Sequence, residues 1–336
     1  MPWFPRNQYL WDFWFAIKGE ELHVFYLQAS WLESGFDPDR RHNLSSIGHA
    51  VLTRSGWQEI GTAMTKSNGE SWDNLSLWTG CIIQEPTTKL YHLFYTARRE
   101  QDAPIWTPSE MQRPQNIGIA VSSDLLTWQR TSASLLAPVI PNPGVNCNFD
   151  GVAWRDPYVI QNDDGWFYTF ICARANTQHE AGGAIAWVKS QDLNCWQDAQ
   201  PTLLITSEDF YQMEVPQVFW RKSAAGKRLY LIFCAQEKDC SQKRRAQMPE
   251  SECQTGTYYL HSELLPLDFQ GLPKLAEPAR LLASGWYAGR LLKPETDEAP
   301  MFFGFQWADE AGHFVGGLSD PMRTEFASDG AITLYE

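Results

Sequence analysis

Five apolar, aromatic-rich runs recur along the chain at intervals of roughly 65–75 residues, and this repeat restricts the possible folds more than any other feature. Gly, Pro, Asn and Asp residues bound these runs, which is typical of β-strands. Many of the runs carry aromatic side chains on both faces, as strands buried between packed sheets do. Helical periodicity is scarce, so the sequence predicts an all-β protein. The runs are LHVFYLQA (22–29), LYHLFYTA (90–97), WFYTFICA (166–173), RLYLIFCA (228–235) and PMFFGFQW (300–307).

A second repeated element predicts a turn between two strands. The segments SSDLLTWQR (122–130) and SQDLNCWQD (190–198) share the pattern Ser-x-Asp-Leu-x-x-Trp, and a degenerate copy, HAVLTRSGWQEI, occupies 49–60. In each segment we expect a strand to end, an Asp or Ser to cap a tight turn, and a Trp to open the next strand.

A long period with several strands per unit is typical of the blades of a β-propeller. Dividing 336 residues by a repeat of about 67 predicts five blades, which would occupy residues 1–336 as a single domain. The alternative, a pair of β-sandwiches, would need a linker near the middle of the chain. The loop-like candidate at 137–151 runs directly into another strand.

The charge of the chain limits its possible partners. Asp and Glu number 40 against 27 Lys and Arg, a net charge of −13. Such a surface repels phosphate groups, which argues against nucleic acids and anionic membranes. A neutral small molecule or a glycan is therefore the predicted partner, while the oligomeric state is not predicted.

Three features predict a cytoplasmic location. The first residues, MPWFPRNQYLWDFWFAIKGEE, do not have the pattern of a secretory leader. No run of about 18 apolar residues is present to span a membrane. The seven cysteines lack Cys-x-x-Cys spacing, so we expect free thiols rather than a disulfide framework or a zinc site. They are residues 81, 147, 172, 195, 234, 240 and 253.

Three carboxylates lie in apolar segments far apart in the sequence: Asp12 in YLWDFWF, Asp156 in VAWRDPYVI and Glu214 in MEVPQVFW. The first strand of each propeller blade lines the central channel, so residues near the starts of different blades converge at one end of it. An acid in apolar surroundings keeps its proton to higher pH, which suits a general acid. The alternative interpretation is that these acids are turn caps or strand-end residues paired with Arg.

Several further motifs occur along the chain: SIGHAVLTRSGW, WTGCII (78–83), WRDP (154–157), MEVPQ (213–217), the Ser-x-Asp-Leu-x-x-Trp turns, FFGFQW (302–307) and GGLSDPMRTEF (316–326). Together they resemble the motifs of the β-fructofuranosidase clan, which comprises glycoside hydrolase families 32 and 68 (invertases, fructanases and levansucrases). The resemblance spans nearly the whole chain and implies a five-bladed propeller. It also implies that Asp12 is the nucleophile, Asp156 the transition-state stabiliser and Glu214 the acid/base of a retaining glycosidase.

Three departures from family 32 are visible. LWDFWF replaces the Asn-Asp-Pro-Asn-Gly type of sequence and is closer to the Trp-Asp of family 68. Val215, Pro216 and Gln217 follow the acid/base where family 32 has Cys-Pro-Asp, and the C-terminal β-sandwich typical of family 32 is not expected. Families 43 and 62, arabinofuranosidases and xylosidases on the same propeller, are possible relatives.

The predicted function is hydrolysis of sucrose or short fructo-oligosaccharides. Alternatives are a fructosyltransferase of the same clan, an arabinofuranosidase or xylosidase, and a propeller that binds a glycan without turning it over. The predicted sugar-binding residues are Arg155, Trp11, Trp14, Trp78 and Gln28. Loops at 36–43, 98–116 and 238–254 are expected to rim the pocket. The sequence has no cluster with metal-ligand spacing and no Gly-rich loop opening a helix, so neither a metal nor another cofactor is predicted.

Overall fold

The computed structural model describes residues 2–106, 111–146, 148–177, 181–196, 200–296 and 299–335. Its strands form five antiparallel sheets in chain order, and the first strand of each sheet faces the common centre. The prediction of a five-bladed β-propeller is confirmed. No helix among the described residues is long and apolar enough to cross a membrane.

The blades follow one another along the chain. Blade I contains Gln8–Lys18 (β1), Glu21–Ser30 (β2), Ser46–Thr53 (β3) and Gly56–Met64 (β4). Blade II contains Ser76–Gln84 (β5), Tyr91–Arg98 (β6), Asn116–Ser122 (β9) and Gln129–Arg130 (β10). A short hairpin, Ile105–Trp106 (β7) and Met111–Gln112 (β8), lies in the connection between β6 and β9.

Blades III and IV also have four strands each, and blade V has five. Blade III contains Phe149–Gln161 (β11), Phe167–Ala175 (β12), Gly183–Ser190 (β13) and Thr202–Thr206 (β14). Blade IV contains Glu214–Ser223 (β15), Gly226–Ala235 (β16), Gly256–His261 (β17) and Arg280–Ser284 (β18). Blade V contains Trp286–Leu291 (β19), Met301–Ala308 (β20), Phe314–Gly316 (β21), Met322–Phe326 (β22) and Ile332–Tyr335 (β23).

The helical segments all lie in connections. The α-helices of the described chain are Arg41–Leu44 (α1), Ser132–Leu136 (α2) and Gln242–Gln247 (α3). Short 3₁₀ turns occupy Pro38–Arg40, Glu237–Asp239 and Glu250–Glu252.

The five aromatic runs of the sequence form the second strand of each blade, namely β2, β6, β12, β16 and β20. Each second strand lies between the first and third strands of its sheet, and its side chains fill the space between neighbouring blades. Between blades II and III, for example, Phe94 and Trp196 meet edge to face at 5.6 Å. This double-sided burial explains why these runs lack alternation of apolar and polar residues.

The Ser-x-Asp-Leu-x-x-Trp segments connect the third and fourth strands of blades II and III. Asp124 Oδ1 accepts hydrogen bonds from the amides of Leu126 and Thr127, which confirms the expected cap. Asp192 makes the equivalent pair of bonds. The expectation that Trp opens the next strand is wrong for Trp196, which precedes β14 by several residues. Gln197 and Asp198 lie outside the described residues.

The ring closes between the first and last blades. The amide of Trp3 donates to the carbonyl of Leu318 at 2.7 Å, and the reverse bond is 2.8 Å. The amide of Gly317 also donates to the carbonyl of Leu10 in β1. Segment 137–148 connects α2 to β11 and so joins blades II and III rather than two sandwiches.

Candidate active site

The first strand of every blade has a break in its β-ladder at the same level of the channel. The register with the second strand shifts after Trp11, Trp78, Arg155, Glu214 and Tyr287 in turn. Such bulges re-aim side chains and are common beside active sites. We call these five residues the pre-bulge ring.

The backbone at four of the five breaks is unusual or tightly packed. Asp156, Val215 and Ala288 have φ of 56°, 52° and 50°, a region that non-glycine residues rarely adopt. In blade II a Cβ on Gly80 would collide with the carbonyl oxygen of Phe94. Strain repeated at one level of the propeller indicates that the bulges serve a site rather than stability.

One cavity of about 250 Å³, which we call the acid cavity, lies at this level. All five residues of the pre-bulge ring line it. Four residues at the breaks also line it: Asp12, Thr79, Asp156 and Val215. The three carboxylates therefore converge from blades I, III and IV, although they are 144 and 58 positions apart in the sequence. Glu214 begins β15, whereas Asp12 and Asp156 lie inside their strands rather than at the starts expected from sequence.

Asp12 is held by a neighbouring blade. The hydroxyl of Thr79 donates a short hydrogen bond to Asp12 Oδ2. Burial raises the pKa of Asp12 to about 6, with a further increase from the negative charge of Glu214, while the Thr79 bond opposes the rise. The Asp12 carboxyl is thus partly buried and keeps its proton to a higher pH than an exposed aspartate does.

Asp156 is held by its backbone and by Arg155. Its amide donates to Thr96 Oγ1 at 2.8 Å, and its Oδ2 accepts from the amide of Val215 at 3.0 Å. Burial raises the pKa of Asp156 to about 7, and the nearby positive charge of Arg155 limits the rise. Since the amide of Val215 directly follows Glu214, the same bond fixes the spacing between blades III and IV.

Both oxygens of the Glu214 carboxyl are hydrogen-bonded. Arg155 Nη2 donates to Oε1 at 2.7 Å, and the hydroxyl of Tyr287 donates to Oε2 through a short bond. Burial and the charge of Glu214 raise the pKa of Tyr287 well above its usual value, so this hydroxyl remains a donor. A carboxyl fixed at both oxygens has a defined orientation toward the cavity.

Arg155 joins two of the acids. Its side chain is 3% exposed, and its Nε lies 3.6 Å from Asp156 Oδ2 while Nη2 bonds Glu214. Gln115 and Gln212 accept further bonds from the same guanidinium at 3.3 and 3.0 Å. The sequence predicted a sugar contact for Arg155. The structure shows it lining the cavity and bridging the acids.

The β2–β3 connection forms part of the cavity wall. His42 of α1 packs edge to face against Trp11 and Trp78, with 5.9 Å between ring centroids in both cases. Burial, followed by the charges of Arg41, Arg98, Lys238 and Arg155, lowers the pKa of His42 well below its usual value. A neutral imidazole thus stands between two indoles at the edge of the site.

The predicted rim loops reach the cavity to different extents. From 36–43, Arg41, His42 and Asn43 line it. From 98–116, Arg98 and Gln112 line it, and residues 107–110 lie outside the described residues. The segment 238–254 lies outside the lining, and the cavity residue nearest to it in sequence is Gln236.

Of the four other residues predicted to bind sugar, Trp11 and Trp78 line the cavity, whereas Trp14 and Gln28 do not. Trp14 lies farther along β1 and lines a different cavity. Gln28 is 5% exposed, and its amide donates to Thr62 Oγ1 at 2.8 Å within blade I. A sugar in the acid cavity would therefore not contact either residue in this arrangement.

Sequence reasoning missed Thr79 and Tyr287, which bond the two proposed catalytic groups. A signal for both exists. Aligning the breaks gives WDF, WTG, RDP, EVP and YAG. The first two residues line the cavity in four of these segments, and in YAG only the first does. The third position is Pro or Gly in four of the five segments, which is consistent with a backbone irregularity there.

The described residues contain no group of three or more His, Cys, Asp or Glu side chains that could hold a metal ion. The cavity instead presents three carboxylates, three arginines and several aromatic rings. Such a set of side chains can bind hydroxyl groups, transfer a proton and stabilise a developing positive charge.

Several solved structures have similar folds at low sequence identity to this chain. A Bombyx mori GH32 beta-fructofuranosidase mutant in complex with sucrose matches with a TM-score of 0.65 and 17% identity, over 98% of this chain and 64% of that chain. An Aspergillus awamori exo-inulinase matches with a TM-score of 0.67 and 16% identity, over 99% and 66%. A B. megaterium levansucrase mutant matches with a TM-score of 0.69 and 12% identity, over 98% and 85%.

These likenesses concern the fold, and the chain spans less than two thirds of the length of the silkworm structure. No match was found among curated protein sequences. The family comparison gives a direct result. The model for the N-terminal domain of glycosyl hydrolases family 32 matches residues 21–290, a range that contains Asp156 and Glu214 and begins after Asp12. The chain therefore belongs to the family of the glycosyl hydrolase 32 N-terminal domain.

Proposed function

We propose that this protein is a retaining glycosidase that hydrolyses β-fructofuranosides, namely sucrose or short fructo-oligosaccharides. The observation that carries the proposal is the convergence of Asp12, Asp156 and Glu214 in one cavity of a family 32 chain. A volume of about 250 Å³ is slightly below that of typical ligand pockets, which measure about 300–1,000 Å³. The site thus suits one or two sugar rings better than a polymer.

In the proposed reaction Glu214 gives its proton to the leaving oxygen while an oxygen of Asp12 attacks the anomeric carbon. The glycosidic C–O bond breaks, and a covalent fructosyl ester forms on Asp12. Glu214 then takes a proton from water, whose oxygen attacks the same carbon and releases Asp12. Asp156 stabilises the positive charge that develops on the sugar in both steps.

The hydrogen bonds around the site support these roles. Thr79 donates to Asp12, and such a bond favours the ionised carboxylate that attacks carbon. Arg155 and Tyr287 hold Glu214 at both oxygens, which fixes its orientation for proton transfer. Val215 and Arg155 likewise favour the ionised form of Asp156.

Transfer of fructose to another sugar instead of water uses the same three acids, so the experiment must separate the two outcomes. Purified protein is incubated with sucrose, 1-kestose, inulin and levan, and with aryl arabinofuranoside and xyloside, and the released sugars are quantified. Equal release of fructose and glucose from sucrose is expected for hydrolysis. A deficit of fructose with longer products would indicate a transferase.

The same assay on Asp12→Ala and Glu214→Gln assigns the activity to the site. Both variants are expected to lose sugar release while they remain folded by circular dichroism. Pentose release without fructose release would move the protein to the substrates of families 43 and 62. A folded wild-type protein that releases no sugar would leave a glycan-binding propeller as the better interpretation.

We also propose a cytoplasmic location. The six described cysteines are free thiols, and five of them are buried, as is usual in a reducing compartment. Cys147 lies outside the described residues. Cell fractionation with an antibody against the protein tests this, and recovery from the culture medium or periplasm would contradict it.

A further inference from the structure

A second cavity, which we call the far cavity, lies farther along the same channel. Its volume is also about 250 Å³. On each inner strand its lining residues follow those of the acid cavity by two or more positions: Trp14 after Asp12, Cys81 after Thr79, Tyr158 after Asp156, Gln217 after Glu214 and Arg290 after Tyr287. The far cavity is thus the continuation of the channel beyond the bulges.

Two lining residues of the far cavity carry N–H groups without a partner. Trp14 and Arg290 are each 2% exposed. Within the described chain, Trp14 Nε1 and both Nε and Nη2 of Arg290 have no hydrogen-bond partner. Their strands, β1 and β19, are neighbours where the ring closes. Three unpartnered donor atoms from two adjacent blades are unusual, because buried polar groups are almost always bonded.

The missing partner must be an acceptor. Indole and guanidinium nitrogens donate hydrogen bonds and cannot accept them. The charged residues in the lining are Arg290, Lys293 and Glu295, so the cations exceed the acids by one in a chain of net charge −13. A buried guanidinium is costly unless it is paired, and a small anion would supply both the charge and the acceptor.

The far cavity is mechanically connected to the acid cavity. Arg290 Nη1 donates to the carbonyl of Pro216 at 2.6 Å, two residues after Glu214. Gln217 exchanges two hydrogen bonds of 2.8 Å with the backbone of Leu291. Arg290 therefore supports the strained bulge at Val215 that presents Glu214 to the acid cavity.

We propose that the far cavity binds a small inorganic anion, of the size of chloride or phosphate, through Arg290 and Trp14. The anion completes the hydrogen bonding of Arg290 and thereby steadies the bulge beside Glu214. This site is separate from the sugar cavity and its occupancy does not depend on the reaction proposed above.

The test measures binding by thermal stability and needs no substrate. Wild-type protein is dialysed into sodium gluconate, and the gluconate is replaced stepwise by sodium chloride, or in a second arm by sodium phosphate, at constant ionic strength. A saturable rise in Tm is expected in at least one arm, of about 4 °C when the anion reaches 100 times its Kd. No difference from gluconate in either arm would mean that the donors are satisfied by water, and the proposal would be wrong.

Variants locate the effect. Trp14→Phe removes one donor and Arg290→Gln removes the charge, so both are expected to lose most of the anion-dependent rise. Trp128→Phe is the matched control, because it removes an indole N–H that donates to the carbonyl of Leu125 in another blade. An anion response that persists in a folded Trp14→Phe and Arg290→Gln protein would overturn the assignment. If Arg290→Gln fails to fold, Trp14→Phe and the wild-type titration still decide.

Discussion

The acid cavity and the far cavity are built by the same five strands, yet their chemistry differs. In the acid cavity the carboxyls of Asp12, Asp156 and Glu214 all have hydrogen-bond donors from side chains or backbone. In the far cavity the buried Arg290 has two nitrogens without partners in the described chain. Both cavities have a volume of about 250 Å³, so size does not distinguish them.

The difference arises at the bulges, which lie between the two cavities. A bulge re-aims the side chains of a strand, which otherwise alternate between its two faces. The shift in register lets Trp11 and Asp12, or Trp78 and Thr79, line the acid cavity together. Beyond the bulges the channel is lined mostly by apolar residues.

The largest effect is expected for Asp12→Asn, which removes the proposed nucleophile without changing its shape. We expect kcat to fall by about 10⁴-fold or more. The same substitution should increase the stability of the folded protein at neutral pH. The folded pKa of Asp12 is raised by burial from 3.8 to about 6, so its contribution to stability is present below pH 3.8 and is lost as pH rises through 6.

At pH 7.5 the Asp12→Asn protein should therefore be more stable than the wild type by up to about 3 kcal/mol, and near pH 4 the gain should disappear. Calorimetry at the two pH values checks this. Asp163→Asn is the control, because ion pairs with Lys222 and Lys227 lower the pKa of Asp163. Its contribution is present above the unfolded pKa, so its removal should lower stability at pH 7.5. A loss of stability in Asp12→Asn at pH 7.5 would contradict the prediction.

Arg155→Gln should have the next largest effect, because it leaves two buried carboxyls without their cation. We expect a loss of about 3–5 kcal/mol in the free energy of unfolding. Arg244→Gln is matched to it, since Arg244 is also buried and pairs with Asp209 at 3.1 Å, but outside the acid cavity. Urea unfolding and sugar release at low temperature are compared. Equal loss of kcat in both folded variants would show that Arg155 acts only through stability.

Thr79→Val should change the pH profile more than the fold. Without the hydroxyl, the ionised form of Asp12 loses a hydrogen bond, and the apparent pKa of the acid limb should rise by about one unit from its value near 6. The kcat should then fall about fivefold at pH 6 and by only about a tenth at pH 8. Thr79→Ser retains the hydroxyl donor, so the acid limb of its pH profile should match that of the wild type. The prediction fails if the Val and Ser variants have the same profile.

The smallest effect on activity is expected for Gln28→Met. Gln28 contacts blade I residues outside the acid cavity, so KM for the sugar should stay within about twofold of wild type. The Tm should fall by about 2 °C because the hydrogen bond to Thr62 is lost. Trp11→Phe provides the comparison. Since Trp11 lines the cavity, the KM of this variant for the sugar should rise. A clear increase of KM for Gln28→Met would contradict the prediction and indicate that Gln28 contacts the sugar.

The fold and the identity of the three acids could be predicted from sequence for a local reason. The second strand of each blade is buried on both faces, so its aromatic composition is visible without knowledge of its partners. The Asp caps of the turns act within three residues, and their pattern repeats. Asp12, Asp156 and Glu214 stand out because ionisable groups are rare in such apolar segments.

Only the tertiary structure decided which side chains share the acid cavity. Thr79 and Tyr287 come from blades II and V, and their hydroxyls matter because the closed ring brings them to Asp12 and Glu214. Trp14 is two residues from Asp12 but lies beyond the bulge, where it faces the far cavity.

The position of the Gln28 side chain was likewise decided by the tertiary structure. A Cβ on Gly48 of the neighbouring strand would collide with Gln28 Oε1, so the absence of that side chain leaves room for the amide to bond Thr62. A single sequence specifies strands and turns through local chemistry. The direction of a side chain depends on bulges, strand register and the residues of other blades, which are set only when the propeller closes.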